Sequence, residues 1–85
     1  MAQIKYVITD GLGIHARPAG LLVKCCEDFS CDIKIGTPLK MVDARRIMGV
    51  MGLGLKKGDE LTMTFEGADA KEASQALTEF LKTNL

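Results

Sequence analysis

The sequence has one histidine, no excess of either charge and no set of cysteines that pairs evenly, and each shortage closes off a class of function. Eleven Lys and Arg residues balance eleven Asp and Glu, so no broad field favours nucleic acid or anionic lipid, and neither is expected as a partner. Cys25, Cys26 and Cys31 are odd in number, and two are adjacent. A disulfide framework is therefore not expected, and the three are read as small core or near-surface residues. One imidazole, with Asp10 as its only nearby carboxylate, supplies too few ligands for a zinc site, so no metal is expected. A Ser-His-Asp triad is equally short of parts, because Ser30 and Ser74 stand in unrelated settings. The longest mostly apolar segment, Ile47 to Leu55, is interrupted by Gly49, Gly52 and Gly54 and falls well below the ~20 residues that a membrane helix needs. The N-terminal MAQIKYVITDG lacks the basic flank and apolar block of a secretory signal. The expected location is cytoplasmic, without membrane insertion.

What is present is the mixture of a soluble globular protein, 47% hydrophobic and 26% charged over 85 residues, enough for a single domain spanning 1–85. Ile4, Tyr6 and Ile8 alternate with Lys5, Val7 and Thr9, which predicts a strand with one buried face. After Pro18, Ala19, Leu22, Val23 and Cys26 recur at helical spacing, while Lys24, Glu27 and Asp28 fall on the other side. Cys31, Ile33 and Ile35 alternate before a Gly36-Thr37-Pro38 break, and a run from Leu39 to Val42 completes a predicted hairpin. Ile47 to Gly54 is too densely apolar for a polar-faced strand, and its glycines shorten it to one brief helix. Leu61, Met63 and Phe65 alternate with Thr62, Thr64 and Glu66 as a further strand. A closing helix follows, with Asp69 expected to cap it, Glu72 three residues on, and a buried stripe of Ala73, Ala76, Leu77, Phe80 and Leu81. The order βαββαβα buries every stripe if four strands form one antiparallel sheet with three helices on one face, an α+β open-faced sandwich.

The single histidine lies in Gly13-Ile14-His15-Ala16-Arg17-Pro18-Ala19, where a strand has ended and a helix is about to begin. The first turn of a helix carries backbone N–H groups without intrahelical partners, and anions bind at such ends. Pro18 suits that turn because its missing donor has no partner to lose. An imidazole with an unperturbed pKa of about 6.5 is largely neutral near pH 7, so one ring nitrogen is available as a nucleophile toward phosphorus. The amides of Ala16 and Arg17 could then bind the phosphate oxygens, with the Arg17 guanidinium adding charge-assisted donors. Taken alone, a histidine before a helix is more often an ordinary polar cap or surface residue.

GIHARPA, together with RRIMGVMGLGLKKGDELTMTFEGADAKEA from Arg45 to Ala73, resembles the histidine-containing phosphocarrier (HPr) family of the bacterial phosphotransferase system over essentially the whole chain. The resemblance implies that His15 receives a phosphoryl group on Nδ1 from Enzyme I, itself charged by phosphoenolpyruvate, and passes it to the A domain of a sugar permease. The protein would then be a stoichiometric carrier and not an enzyme, a monomer that needs no cofactor, with Arg17 assisting the phosphate. Ile47, Met48 and Met51 match the family's apolar docking patch, with Gly20 and Lys24 near its edge. Ordinary core is the competing reading for the methionines, although exposed thioethers can repack against unlike partners. At one position the chain departs from many relatives: Arg45-Arg46-Ile47 stands where Lys-Ser-Ile is frequent, which removes the hydroxyl that a regulatory kinase modifies. Arg46 is also a poor helix cap, so Asp43 is expected to serve instead. Leu12 and Gly20 replace small polar residues of some relatives. An alternative class, a regulatory module that binds through the same apolar face without transferring phosphate, is disfavoured by the presence of both His15 and Arg17.

Overall fold

A computed structural model describes residues 1–85. The elements follow the expected order: β1 (Ala2–Val7), α1 (Ala16–Cys26), β2 (Asp32–Thr37), β3 (Lys40–Asp43), α2 (Ile47–Met51), β4 (Glu60–Glu66) and α3 (Ala70–Asn84). The strands form one antiparallel sheet in the order β1-β4-β2-β3.

Strand register explains why one face is dry. Ile4, Met63, Ile35 and Val42 lie side by side across all four strands, while the next row over, Gln3, Thr64, Lys34 and Asp43, points the other way. The two-residue period of a strand separates these rows onto opposite faces. All helices gather on the apolar side, with α3 against β1 and β4, α1 beside α3, and α2 against α1 and β3. Phe65, Ile33, Leu61, Leu22 and Leu77 are fully buried between the layers, and each such side chain contributes about 1.5–3 kcal/mol through loss of water contact.

The helical stripes follow the predicted spacing with a narrower buried band. In α1, Pro18, Ala19, Leu22 and Cys26 are buried, but Val23 lies at the edge of the stripe and is half-buried. In α3, Ala70, Ala73, Leu77 and Leu81 are buried, whereas Ala76 and Phe80 are half-buried against the core. Cys26 and Cys31 are buried and Cys25 half-buried, all as free thiols. Burial, and then the neighbouring Cys25, push the Cys26 thiol up to about 12, which leaves it inert as a nucleophile.

Three local expectations are corrected. Leu39 is not part of the second hairpin strand: it occupies the turn after Pro38, 98% exposed, because β3 starts at Lys40. Asp69 stands at the start of α3 but makes no side-chain cap bond there. Its carboxylate instead accepts the Ser30 and Cys31 amides at 2.8 and 2.9 Å. Gly67, at φ +143°, permits that approach, since a Cβ there would sit 2.9 Å from the Cys31 Cα. Asp43 does not cap α2 either: Arg46 holds the cap position without a side-chain cap bond, and the Asp43 carboxylate accepts the Arg45 amide at 2.9 Å, closing the turn before the helix.

Candidate functional site

His15 occupies the cap position of α1 in extended backbone conformation, φ −106° and ψ −174°, and its side chain caps nothing. Its own amide donates to the Gly13 carbonyl at 3.1 Å, and its carbonyl accepts the Ala19 amide at 3.0 Å. Between them, the amides of Ala16 and Arg17 have no acceptor within the chain, and Pro18 has no amide to offer. The first turn therefore presents exactly the donors that helix geometry leaves over, reduced by the proline to two.

The preceding segment is fixed from two sides. The Thr9 and Asp10 amides donate to the Leu85 main-chain oxygen at 2.6 and 2.8 Å, and the Thr9 hydroxyl joins them at 2.9 Å. Four residues later the Ile14 amide donates to the Leu55 carbonyl at 3.1 Å. Gly13 makes this crossing possible: it adopts φ +66°, and a Cβ there would collide with the Leu55 oxygen, a clash no side chain survives. The imidazole is thereby aimed outward while the backbone beneath it is pinned.

Asp10, His15, Arg17, Pro18, Leu21 and Asn84 line a shallow recess of about 140 Å³. It is smaller than the ~300–1,000 Å³ of typical small-molecule sites. The His15 and Asp10 side chains are 38% and 31% exposed, and Nε2 lies 3.8 Å from Asp10 Oδ2. It is the one approach of acidic and basic side chains within salt-bridge range in the molecule.

Of the residues expected at the docking face, Gly20 and Ile47 are brought together. Ile47 of α2 lies over Gly20 of α1, with its Cδ1 at 3.7 Å from where a Cβ on that glycine would be. Lys24, one turn further along α1, is exposed. Met48 projects into solvent at 77% exposure, with Leu12, Leu21 and Ile47 also exposed. Met51 differs, since it is half-buried and packs against the core. Sequence reasoning treated Asp10 only as an insufficient metal ligand and passed over Leu21, which the i, i+4 spacing from Arg17 places on the same helix face. It also missed Arg45, whose Nη2 donates to the carbonyls of Cys26 (3.0 Å) and Phe29 (2.5 Å) at the far end of α1.

The profile of the PTS HPr component phosphorylation site family matches residues 2–83. The chain belongs to the HPr family. Solved HPr structures share the fold closely. HPr-C-His from Thermoanaerobacter tengcongensis is 36% identical, with a TM-score of 0.92 over 98% of this chain and 93% of that one. HPr from Bacillus anthracis is 39% identical, with a TM-score of 0.86 over 94% and 95% of the two chains. Crh, the Bacillus subtilis catabolite repression containing protein, is 33% identical over 100% of this chain and 98% of its own, with a TM-score of 0.78, and is described as a swapped dimer. The family is one of phosphocarriers in the phosphotransferase system, which agrees with the open-faced α+β architecture and with the resemblance noted from GIHARPA. No helix is long and apolar enough to cross a membrane.

Proposed function

We infer that the chain is a phosphoryl carrier in which His15 accepts a phosphoryl group from phosphorylated Enzyme I and donates it to the A domains of sugar permeases. The observation that carries this reading is the exposed imidazole at the start of α1, beside two amides without acceptors. The Nδ1 lone pair attacks phosphorus as the donor's bond to phosphorus breaks. The phosphoryl oxygens then lie against the Ala16 and Arg17 amides, with the Arg17 guanidinium adding a positive charge, and hydrogen bonds to a charged group contribute about 1.5–3 kcal/mol each. The two amides are held in place by the helix start and need no rearrangement when the charge arrives.

The exposed apolar surface of Ile47 and Met48, bordered by Gly20 and Lys24, supports docking of both donor and acceptor proteins, with Met51 backing it from the core side. The carrier is regenerated by the relay and not catalytic in its own right, acts in the cytoplasm and requires no cofactor. The working form in this reading is a monomer.

Incubation with Enzyme I and phosphoenolpyruvate is expected to add one acid-labile phosphoryl group, which a permease A domain then removes. His15→Ala abolishes the labelling. An acid-stable adduct, or incorporation that survives this substitution, overturns the assignment.

A further inference from the structure

Asp10 is the feature of the site that the carrier reading leaves without a task. Its carboxylate is oriented by the chain itself. The Asp10 amide is tied to the Leu85 main-chain oxygen, and Oδ1 accepts the Leu12 amide at 3.0 Å. The second oxygen, Oδ2, faces His15 Nε2 at 3.8 Å. Eleven acidic and eleven basic residues could pair elsewhere, yet this is where an acidic and a basic side chain come within range. A negative group beside an incoming phosphate works against binding, so its presence calls for a compensating use.

We propose that Asp10 is a positioning residue that keeps the His15 proton on Nε2 before and after phosphoryl transfer. A carboxylate facing one imidazole nitrogen favours the tautomer with N–H on that side, which leaves the lone pair on the other. Nδ1 is then the free nucleophile. When it attacks, the N–P bond forms and the donor's bond to phosphorus breaks, with that electron pair leaving on the donor. No proton moves. The ring retains Nε2–H and becomes an N-phosphorylated imidazolium, whose positive charge lies beside the Asp10 carboxylate. Onward transfer returns the N–P electron pair to Nδ1 and regenerates the neutral ring with the same proton in place. Were the proton lost from Nε2, the departing group would be an imidazolate, a far poorer leaving group, and the phosphoryl would be stranded.

This inference rests on the carrier reading for its purpose but not for its first measurement. Asp10→Asn preserves an acceptor for the Leu12 amide and removes the charge. Two full charges ~4 Å apart in water would be worth about a fivefold ratio, and a carboxylate acts on the N–H dipole of a neutral ring more weakly than that, so the ratio of Nε2–H to Nδ1–H tautomers should fall by roughly twofold. Imidazole 15N chemical shifts of the unphosphorylated protein read that ratio directly, and amide spectra confirm that the variant is folded. Transfer from the phosphorylated variant to an A domain should slow by a similar factor, and Asp10→Glu should recover part of both effects. Unchanged 15N shifts in Asp10→Asn overturn the proposal, as does an altered tautomer ratio with an unaltered transfer rate. If wild-type His15 accepts no phosphoryl group while the tautomer ratio still responds to Asp10, it is the carrier reading that fails and the tautomer control that stands.

Discussion

The two ends of α1 are treated in opposite ways. At the N-terminal end, His15 caps nothing, and the Ala16 and Arg17 amides find no partner in the chain. At the C-terminal end, the Arg45 guanidinium reaches from the loop after β3 to bond the Cys26 and Phe29 carbonyls, and the Asp69 carboxylate fastens the Ser30 and Cys31 amides just beyond. A helix whose termini were both closed would have no donors left for a visiting anion, and one with both open would fray at each end. Concentrating side-chain bonds at the end away from the histidine secures the helix while leaving its functional terminus unsatisfied. Stability and availability are thus separated along about three turns of one element.

Substitutions at either end should separate these two properties. Arg17→Met, at the open end, should reduce phosphoryl transfer on the order of a hundred- to a thousandfold, the range seen when one preorganised charge-stabilising donor is removed, with the urea midpoint unchanged. A fall in stability comparable to that of a core substitution would show that the open end is structural after all. Arg45→Met should do the reverse. Loss of its bonds to two carbonyls costs about 1.5–3 kcal/mol, measured by urea unfolding, with transfer by the folded fraction near that of wild type. A variant of full stability and crippled transfer would overturn the comparison.

The smallest effect concerns acid. The Ser30 amide, aided by Cys31, holds the Asp69 carboxyl below its ordinary value of 3.8. A carboxyl depressed in the folded state contributes stability that is fully present above its unfolded value and disappears as pH falls through the folded one. The contribution of Asp69 is therefore complete at neutral pH and declines below about pH 3.8. Asp69→Asn should lower the thermal midpoint at pH 7, and the gap from wild type should narrow below that range. A gap that stays constant down to strongly acidic pH would mean that the ionised carboxylate is not what fastens Ser30 and Cys31.

The asymmetry of α1 also marks where the sequence was legible. Alternation in β1, β2 and β4 and helical spacing in α1 and α3 are repeated signals, because each element must bury several side chains on one face. They gave the order of elements and the side of the sheet that is covered. The open end was legible too, since His15, Arg17 and Pro18 are consecutive or nearly so and their meaning follows from helix-start geometry. The closed end was not. Arg45 bonds residues 16 and 19 positions away, and Asp69 bonds residues 38 and 39 away. A long-range bond from one side chain to one backbone group leaves no periodic trace. The position of Asp69 suggests only the local duty of a cap, and Leu39 reads as part of a strand because it is an apolar residue beside one. Asp10 was overlooked for a related reason: its distance to the imidazole depends on the turn that Gly13 and the Leu12 amide bond create.

The near absence of close ion pairs bears on the conditions under which such a protein works. Added salt weakens attractions between exposed charges within a Debye length of ~8 Å, and proteins that depend on networks of such pairs soften as the medium concentrates. Here the opposing charges are spread apart, and the fold coheres through apolar contact, backbone bonding and the bonds that Arg45 and Asp69 make to the backbone. Swings in ionic strength should leave the molecule's architecture untouched while altering how quickly charged partners find it, so that ionic conditions tune the traffic through the relay and not the integrity of the carrier.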